Sequence, residues 1–348
     1  MRVLFDITHP ADVHLFRYVM ARLRDQGHHV LVASREKDVA IALLDDLGIP
    51  HVCLGKMGRG LLGMGKELVT RNIRMLSLAR RFRPDVMLSR IGISIGLAGA
   101  VLRVPRIVLE DTEHARLQLA LSLPLATHIC TGLGYLKDYG PRQRRFRAFP
   151  VQAYLDSRYF TPSKDLLRRH GFDPDEPYVV LRLISWEAVH DRGMRGASGE
   201  ALQEAMRRLE RFGRLIVSSE RPLPGFLERY RLSLPLLDMH HLLAFARLFL
   251  GESPTMTAEA AVLGTPAILC NPQRLGYLLA LERDYGLAYN TDTLEQGLSV
   301  AEELLASADT PETWRSRRER LLSQTQDVVE YFLELIQQAG ERSGKFRS

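Results

Sequence analysis

Short apolar runs alternate along most of the chain with segments whose apolar positions recur every three to four residues. Arg2–Phe5 is a β-type run. Leu15, Phe16, Val19, Met20 and Leu23 then follow helical spacing up to Gly27, a natural helix stop. His29–Ala33 reads as the next strand, and Glu36–Leu47 as the next helix, closed by Gly48. His51–Leu54, Asp85–Ser89, Arg106–Leu109 and Thr127–Cys130 repeat the strand pattern. Contiguous apolar strands between amphipathic helices predict a parallel sheet covered on both faces.

The alternation breaks near Ala148-Phe149-Pro150 and restarts after Thr161-Pro162. Tyr178–Ile184, Arg214–Ser218, Leu248–Leu250 and Ala267–Cys270 are the strands of the second half. Gly199–Phe212 and Pro254–Leu263 are helices between them, and Trp314–Gln338 reads as one long final helix. The expected fold class is α/β: two doubly wound, Rossmann-like parallel-sheet domains facing a cleft at the carboxyl ends of their strands. The boundaries read as residues 1–150 for the N-terminal domain, 151–162 for a linker and 163–340 for the C-terminal domain with the long final helix. Residues 341–348 read as a disordered tail.

Composition narrows the class. The 348 residues are 46% apolar and 25% charged, the balance of a folded globular protein. A net charge of +6 suits anionic small molecules or an anionic membrane surface as well as it suits nucleic acid. The three cysteines, Cys53, Cys130 and Cys270, lack metal-ligand spacing, which points to a reducing cytoplasm. No secretory signal is visible, and the apolar run Ile91–Leu102 is too short and glycine-rich to span a bilayer.

The strongest local signal is Gly251-Glu252-Ser253-Pro254-Thr255-Met256-Thr257-Ala258-Glu259, continued to Leu263-Gly264-Thr265-Pro266. Ser253 is placed to cap a helix and Pro254 to occupy its first position. A helix amino terminus of this kind offers N–H groups and partial positive charge to a diphosphate. Glu259, a turn and a half further, has the acceptors for a ribose diol; a capped helix with a solvated Glu accounts for the same residues.

This segment resembles the nucleotide-binding segment of GT-B glycosyltransferases and of non-hydrolysing UDP-N-acetylglucosamine 2-epimerases. Several stretches narrow the resemblance: Phe5-Asp6-Ile7-Thr8-His9-Pro10-Ala11-Asp12-Val13-His14, Arg35-Glu36, Glu110-Asp111-Thr112-Glu113 and Trp186-Glu187-Ala188-Val189-His190-Asp191. Together they are similar to the family termed domain of unknown function 354, over nearly the whole chain to about Gln338. The resemblance implies a GT-B fold in which the first domain faces an acceptor. In the second, Ser253, Pro254 and Thr255 hold phosphate and Glu259 holds ribose. The epimerases carry Gly-Gly where this chain has Pro254-Thr255, which restricts backbone approach by phosphate.

The loop from Asp6 to His14 is the second candidate site. Sugar transfer needs an acceptor hydroxyl deprotonated as it attacks, and a His or carboxylate can take that proton. By helix register Asp12 falls near the His proposed as base in the lipid-intermediate transferase of peptidoglycan synthesis, and His9 and His14 are neighbours able to do the same. A helix cap at Asp12 and core packing at His14 are the alternatives. Glu110 stands where the epimerases have a catalytic Glu. Their preceding Asp corresponds to about Gly92, and their His-Arg loop to Leu181–Trp186, which has no His at the strand end.

Arg182 and Ser185 fall on a strand and loop expected at the cleft, where Arg182 could neutralise a departing diphosphate; a strand Arg paired with a carboxylate is the alternative. Ser218-Ser219-Glu220 resembles the loop that holds the nucleotide base. No metal is expected. His240-His241 point apart on a helix, and Asp173-Pro174-Asp175 reads as a turn.

Lys56–Arg83 carries eight cations (Lys56, Arg59, Lys66, Arg71, Arg74, Arg80, Arg81, Arg83) against the single carboxylate Glu67, with Met57, Leu61, Leu62, Met64, Leu68 and Met75 interleaved. It reads either as an element docking on anionic lipid, with Arg142, Arg144, Arg145 and Arg147 adding to it, or as a solvated helix with a buried apolar face. Aromatics are not interleaved with the cations, so nucleic acid is not an expected partner. The combined expectation is a metal-independent glycosyltransferase using a nucleotide-sugar, UDP-linked by the resemblance, as substrate rather than cofactor, in the cytoplasm or peripheral at the inner membrane face. A UDP-sugar 2-epimerase and a non-catalytic nucleotide-sugar-binding protein are the alternatives.

Overall fold

The computed structural model describes residues 1–36, 39–58, 60–185 and 198–345. They divide into two units, Met1–Tyr154 joined by Gln326–Ser348, and Leu155–Thr325.

Unit 1 alternates strand and helix up to β6: β1 (Arg2–Ile7), α1 (Pro10–Asp25), β2 (His29–Glu36), α2 (Ala40–Asp46), β3 (Val52–Lys56), α3 (Gly60–Phe82), β4 (Val86–Arg90), α4 (Ile93–Leu102), β5 (Arg106–Glu110), α5 (Arg116–Ser122) and β6 (His128–Thr131), after which β7 (Gln143–Arg145) follows without an α-helix. The strands form one parallel sheet in the order β3-β2-β1-β4-β5-β6-β7. Strand order reverses between β1 and β4, where Asp6 lies beside Ser89. The loops leaving the carboxyl ends of those two strands diverge to opposite faces and leave a crevice, where doubly wound sheets place their sites.

Right-handed crossovers put α3, α4 and α5 on one face of this sheet and α1 and α2 on the other. The first face packs Leu4, Met87, Val108 and Ile129 against Met75, Ile95 and Leu119. On the second, Phe16 meets Phe5 at 5.5 Å and Phe332 at 5.7 Å.

The chain enters unit 2 within α6 (Gln152–Leu155) and continues through α7 (Lys164–Arg169), β8 (Tyr178–Leu183), α8 (Gly199–Leu209), β9 (Arg214–Ser219), α9 (Met239–Phe245), β10 (Leu248–Gly251), α10 (Pro254–Leu263), β11 (Ala267–Cys270), α11 (Gly276–Arg283), β12 (Ala288–Thr291), α12 (Leu294–Ala306) and α13 (Thr310–Gln324). Its parallel sheet runs β12-β11-β10-β8-β9, with the reversal between β8 and β10. Gly251 at the end of β10 lies against Arg182 of β8; a Cβ there would sit 2.7 Å from the Arg182 Cβ and 2.9 Å from its carbonyl oxygen.

The single final helix expected over Trp314–Gln338 is two helices. α13 ends at Gln324, Thr325 is extended, and α14 (Val328–Lys345) starts afresh. Asp327 causes the restart: its Oδ1 accepts from the N–H groups of Val329 at 2.8 Å and Glu330 at 3.2 Å, as an N-cap does. α14 belongs to unit 1, packing on α1 and β4, rather than to the C-terminal domain. It also runs through residues 341–345, which were expected to be disordered tail.

Candidate functional site

In unit 1 the polar side chains gather where β1, β4 and β5 end. His9 caps α1, its Nδ1 accepting from the Ala11 N–H at 3.1 Å. Asp12 completes the capping box and is 0% exposed. Its Oδ2 accepts from the N–H groups of Thr8 and His9, both at 2.9 Å, and from the Thr8 hydroxyl at 3.1 Å. Its Oδ1 accepts from Arg90 Nε at 2.9 Å. Four donors occupy the carboxylate, so Asp12 is an anchor and not a free base. His14, two residues further on, is buried with its ring 5.3 Å from that of Tyr154.

Arg90 is the residue that sequence reading missed; it stands just before the apolar run Ile91–Leu102. It closes β4 at the switch point, binding Asp12 on one side and both oxygens of Asp111 at 3.2 Å on the other. Burial works against its charge, but Asp111 and Asp12 more than offset it and raise its pKa. The next residue, Ile91, has φ of 63°, a left-handed conformation that a β-branched residue adopts only under constraint.

Glu110, the last residue of β5, is 0% exposed. Its Oε1 accepts from the Thr112 N–H at 2.6 Å, while Oε2 has no hydrogen-bond partner among the described residues. Burial, reinforced by the negative charge of the Asp111 carboxylate, pushes its carboxyl up to about 8; the Thr112 N–H, Arg90 and the Asp111 N–H work the other way. Two phenols, Tyr135 and Tyr139, lie near enough to feel this charge, with hydroxyls 2.9 Å apart. Glu113 is also buried, its Oε1 accepting from the Leu136 N–H at 3.2 Å. Beneath them, Asp6 forms a buried ion pair with Arg71 of α3, and burial raises the Asp6 pKa although Arg71 opposes it.

The basic segment is thus partly consumed by the fold. Besides Arg71, Lys56 pairs with Glu36 at 2.7 Å and Arg74 donates to the Leu54 carbonyl at 2.9 Å. Arg142, Arg144 and Arg145 brace loop carbonyls. Arg59 lies outside the described residues.

In unit 2, Ser253 caps α10 and Pro254 takes its first position, as expected. The Ser253 Oγ accepts from the Met256 N–H at 3.4 Å, and the Thr257 hydroxyl donates to the Ser253 carbonyl at 2.8 Å. Glu252, not singled out in the sequence, is buried at the switch point. Its carboxylate accepts from the Ile184 N–H at 2.9 Å and lies 3.6 Å from Arg221, and its carbonyl accepts from Asn271 at 3.1 Å. It ties together the loops after β8, β9, β10 and β11.

Arg182 donates to the Ser218 hydroxyl at 2.7 Å and pairs with Glu220. Glu220 in turn accepts from the Ser185 N–H at 3.3 Å. Arg182, Ser185 and Ser218 are therefore brought together, but around a carboxylate that already balances the guanidinium. Glu259 is buried and faces His240, Oε1 to Nε2 at 3.2 Å, rather than open solvent. His241 points elsewhere, its Nδ1 accepting from the Ser163 N–H at 3.0 Å. Asp173 accepts from the Asp175 N–H at 3.0 Å, the turn that was expected. Trp186-Glu187-Ala188-Val189-His190-Asp191 lies outside the described residues.

The family model described as "Protein of unknown function (DUF354)" matches residues 1–337. The chain belongs to that family. Uncharacterized protein MJ0665 of Methanocaldococcus jannaschii is 24% identical over 283 residues, covering 78% of this chain and 82% of that protein. Among solved structures, the glycosyltransferase VinC in complex with dTDP superposes with a TM-score of 0.66 at 14% identity, covering 98% of this chain and all of that one (100%). The Neisseria meningitidis UDP-GlcNAc 2-epimerase bound to UDP-GlcNAc gives 0.65 at 12% identity, covering 97% and 100%. This DUF354 chain therefore has a GT-B-like fold, which glycosyltransferases and UDP-sugar epimerases share.

Proposed function

We propose that this DUF354 protein is a metal-independent glycosyltransferase that takes a nucleotide-sugar, with UDP the expected nucleotide, and transfers the sugar to a hydroxyl acceptor. The observation that carries the reading is Glu110: a fully buried carboxyl at the end of a sheet strand, with one oxygen lacking a partner among the described residues. A buried carboxyl whose pKa is pushed up to about 8 is a candidate for proton transfer near neutral pH. In the proposed step the acceptor oxygen bonds to the anomeric carbon and its proton passes to Glu110 Oε2. The bond from that carbon to the diphosphate oxygen breaks, and the nucleoside diphosphate leaves.

Arg90 is a positioning residue, fixing Asp12 and Asp111 and favouring the ionised form of Glu110. Asp12 and His14 would hold the loop. In unit 2, the Thr255 N–H and hydroxyl at the start of α10 would receive phosphate beside Ser253 and Pro254. Arg182, Ser185 and Ser218 would surround the rest of the nucleotide, and Glu259 its ribose. The ligands bound in the VinC and 2-epimerase structures, dTDP and UDP-GlcNAc, support a nucleotide-sugar donor.

A ligand-detected NMR screen of nucleotide-sugars tests the donor, and Glu110→Gln tests the chemistry. UDP-sugar binding should survive Glu110→Gln while product formation falls at least about a hundredfold, the low end for a positioned acid or base. Absence of nucleotide binding, or full turnover by Glu110→Gln, would overturn the reading. The 2-epimerase reading is favoured by the same Glu110, which stands where those enzymes have a catalytic Glu. It requires acceptor-independent exchange of solvent deuterium into C2. Binding with neither product nor exchange would point to a non-catalytic role.

Glu259→Gln, which keeps the side chain's bulk beside His240, should weaken UDP binding by roughly 1.5–3 kcal/mol, the contribution of a charged hydrogen bond. Calorimetric titration with UDP measures this, and unchanged affinity removes Glu259 from the nucleotide site.

A further inference from the structure

Helices α3, α4 and α5 form one layer over the unit 1 sheet, α4 packing against both neighbours. The buried side of α3 is made by Met75, Ala79 and the ion-paired Arg71. Its opposite side is also apolar. Leu62, Val69 and Ile73, at spacings of seven and four, stand in a single stripe, with Leu62 92% and Ile73 65% exposed. Leu97 and Val101 continue the exposed apolar surface on α4, and Leu117, at 69%, and Leu121 on α5. Unit 2 contributes only Leu236 to the exposed large apolar side chains among the described residues.

The charge on this layer has one sign. Lys66, Arg80 and Arg81 lie on the exposed side of α3, Arg103 ends α4 and Arg116 begins α5. The one carboxylate on the three helices, Glu67, is turned inward and paired with Arg35. An apolar surface ringed by cations, with no outward carboxylate on its helices, complements apolar chains beneath anionic head groups. Among the described residues no helix is long and apolar enough to cross a membrane, so contact would be peripheral.

We propose that the outer surface of α3, α4 and α5 docks on an anionic lipid bilayer, with Leu62, Val69, Ile73 and Leu117 entering the interface and Lys66, Arg80 and Arg116 meeting the head groups. The proposal is independent of the donor reading, because docking needs no nucleotide.

Sedimentation of the full chain with phosphatidylcholine vesicles, with and without phosphatidylglycerol, tests it in the absence of nucleotide. Wild type should sediment with the anionic vesicles and lose binding as salt rises. Val69→Glu/Ile73→Glu should weaken vesicle affinity more than roughly tenfold, and Lys66→Glu/Arg80→Glu by a similar factor. Leu236→Glu should bind like wild type. All these positions are on the surface, and equal thermal melts confirm that the variants fold. Absence of binding to anionic vesicles, or undiminished binding by both double variants, would overturn the proposal. A dimer in analytical ultracentrifugation that Val69→Glu/Ile73→Glu dissociates would also overturn it, assigning the surface to a second copy of the chain.

Discussion

At the scale of single residues, the distinction that matters is between a carboxylate that is used up and one that is waiting. Asp12 and Glu110 are equally buried, yet Asp12 receives four hydrogen bonds and Glu110 Oε2 none among the described residues. Glu110 therefore carries a testable pH signature. Its folded pKa of about 8 lies above the ordinary value of 4.5, so the folded state holds the proton more tightly than the unfolded state. Stability from this group is full below about 4.5 and is lost as pH rises through about 8; Asp6, also raised, acts in the same direction. Glu110→Gln should flatten that decline, measured as the change in denaturation midpoint between about pH 5 and pH 8. As a base Glu110 must be ionised, so wild-type turnover should rise with pH and level off above about 8. A decline identical in Glu110→Gln and wild type would show that Glu110 is not the group titrating. Sequence reading found both carboxylates and put Asp12, with His14, ahead of Glu110 as the base. The deciding partner of Asp12 is Arg90, 78 positions further on and adjacent only because β4 lies beside β1.

Elements were legible where their signals are local. The cap at Ser253, Pro254 at the first helical position and Gly264 in the left-handed C-cap conformation are written in consecutive residues. The break at Asp327 is also local, but the apolar periodicity on either side of it hides the cap. Gly251 shows what local reading leaves out. Its need for hydrogen in place of a Cβ arises from Arg182 on the neighbouring strand. Gly251→Ala should force β8 and β10 apart, cost about 1–3 kcal/mol and disturb the loop held by Glu252. Gly199→Ala, where a Cβ meets nothing within 4 Å, should leave stability nearly unchanged. Urea unfolding of the two variants makes the comparison, and equal midpoints would refute the close approach.

For the molecule as a whole, the chain leaves unit 1 at Tyr154 and returns to it at Gln326. The returning helix α14 supplies Phe332, whose ring lies 5.7 Å from Phe16 and 6.1 Å from Phe146. Removing residues 326–348 should therefore loosen unit 1, although the deleted segment follows unit 2 in sequence. Hydrogen exchange should show faster amide exchange in α1 and β4, which pack on α14, while β8–β11, whose core is built from unit 2 alone, stay protected. Equal loss of protection in both units would contradict the division.

The sequence by itself determined what depends on neighbouring residues: the alternation that makes two parallel α/β sheets, the caps, the loops rich in ionisable groups and the basic, apolar character of the α3 segment. Tertiary structure alone decided strand order, and with it which strand-end side chains meet: Arg90 with Asp12 and Asp111, Glu252 with Ile184, Glu259 with His240. It also decided which cations the fold consumes and which unit owns the last helix. The physical reason is range. Periodicity and capping act within a few residues, whereas desolvation and ion pairing depend on groups that only the folded sheet brings together.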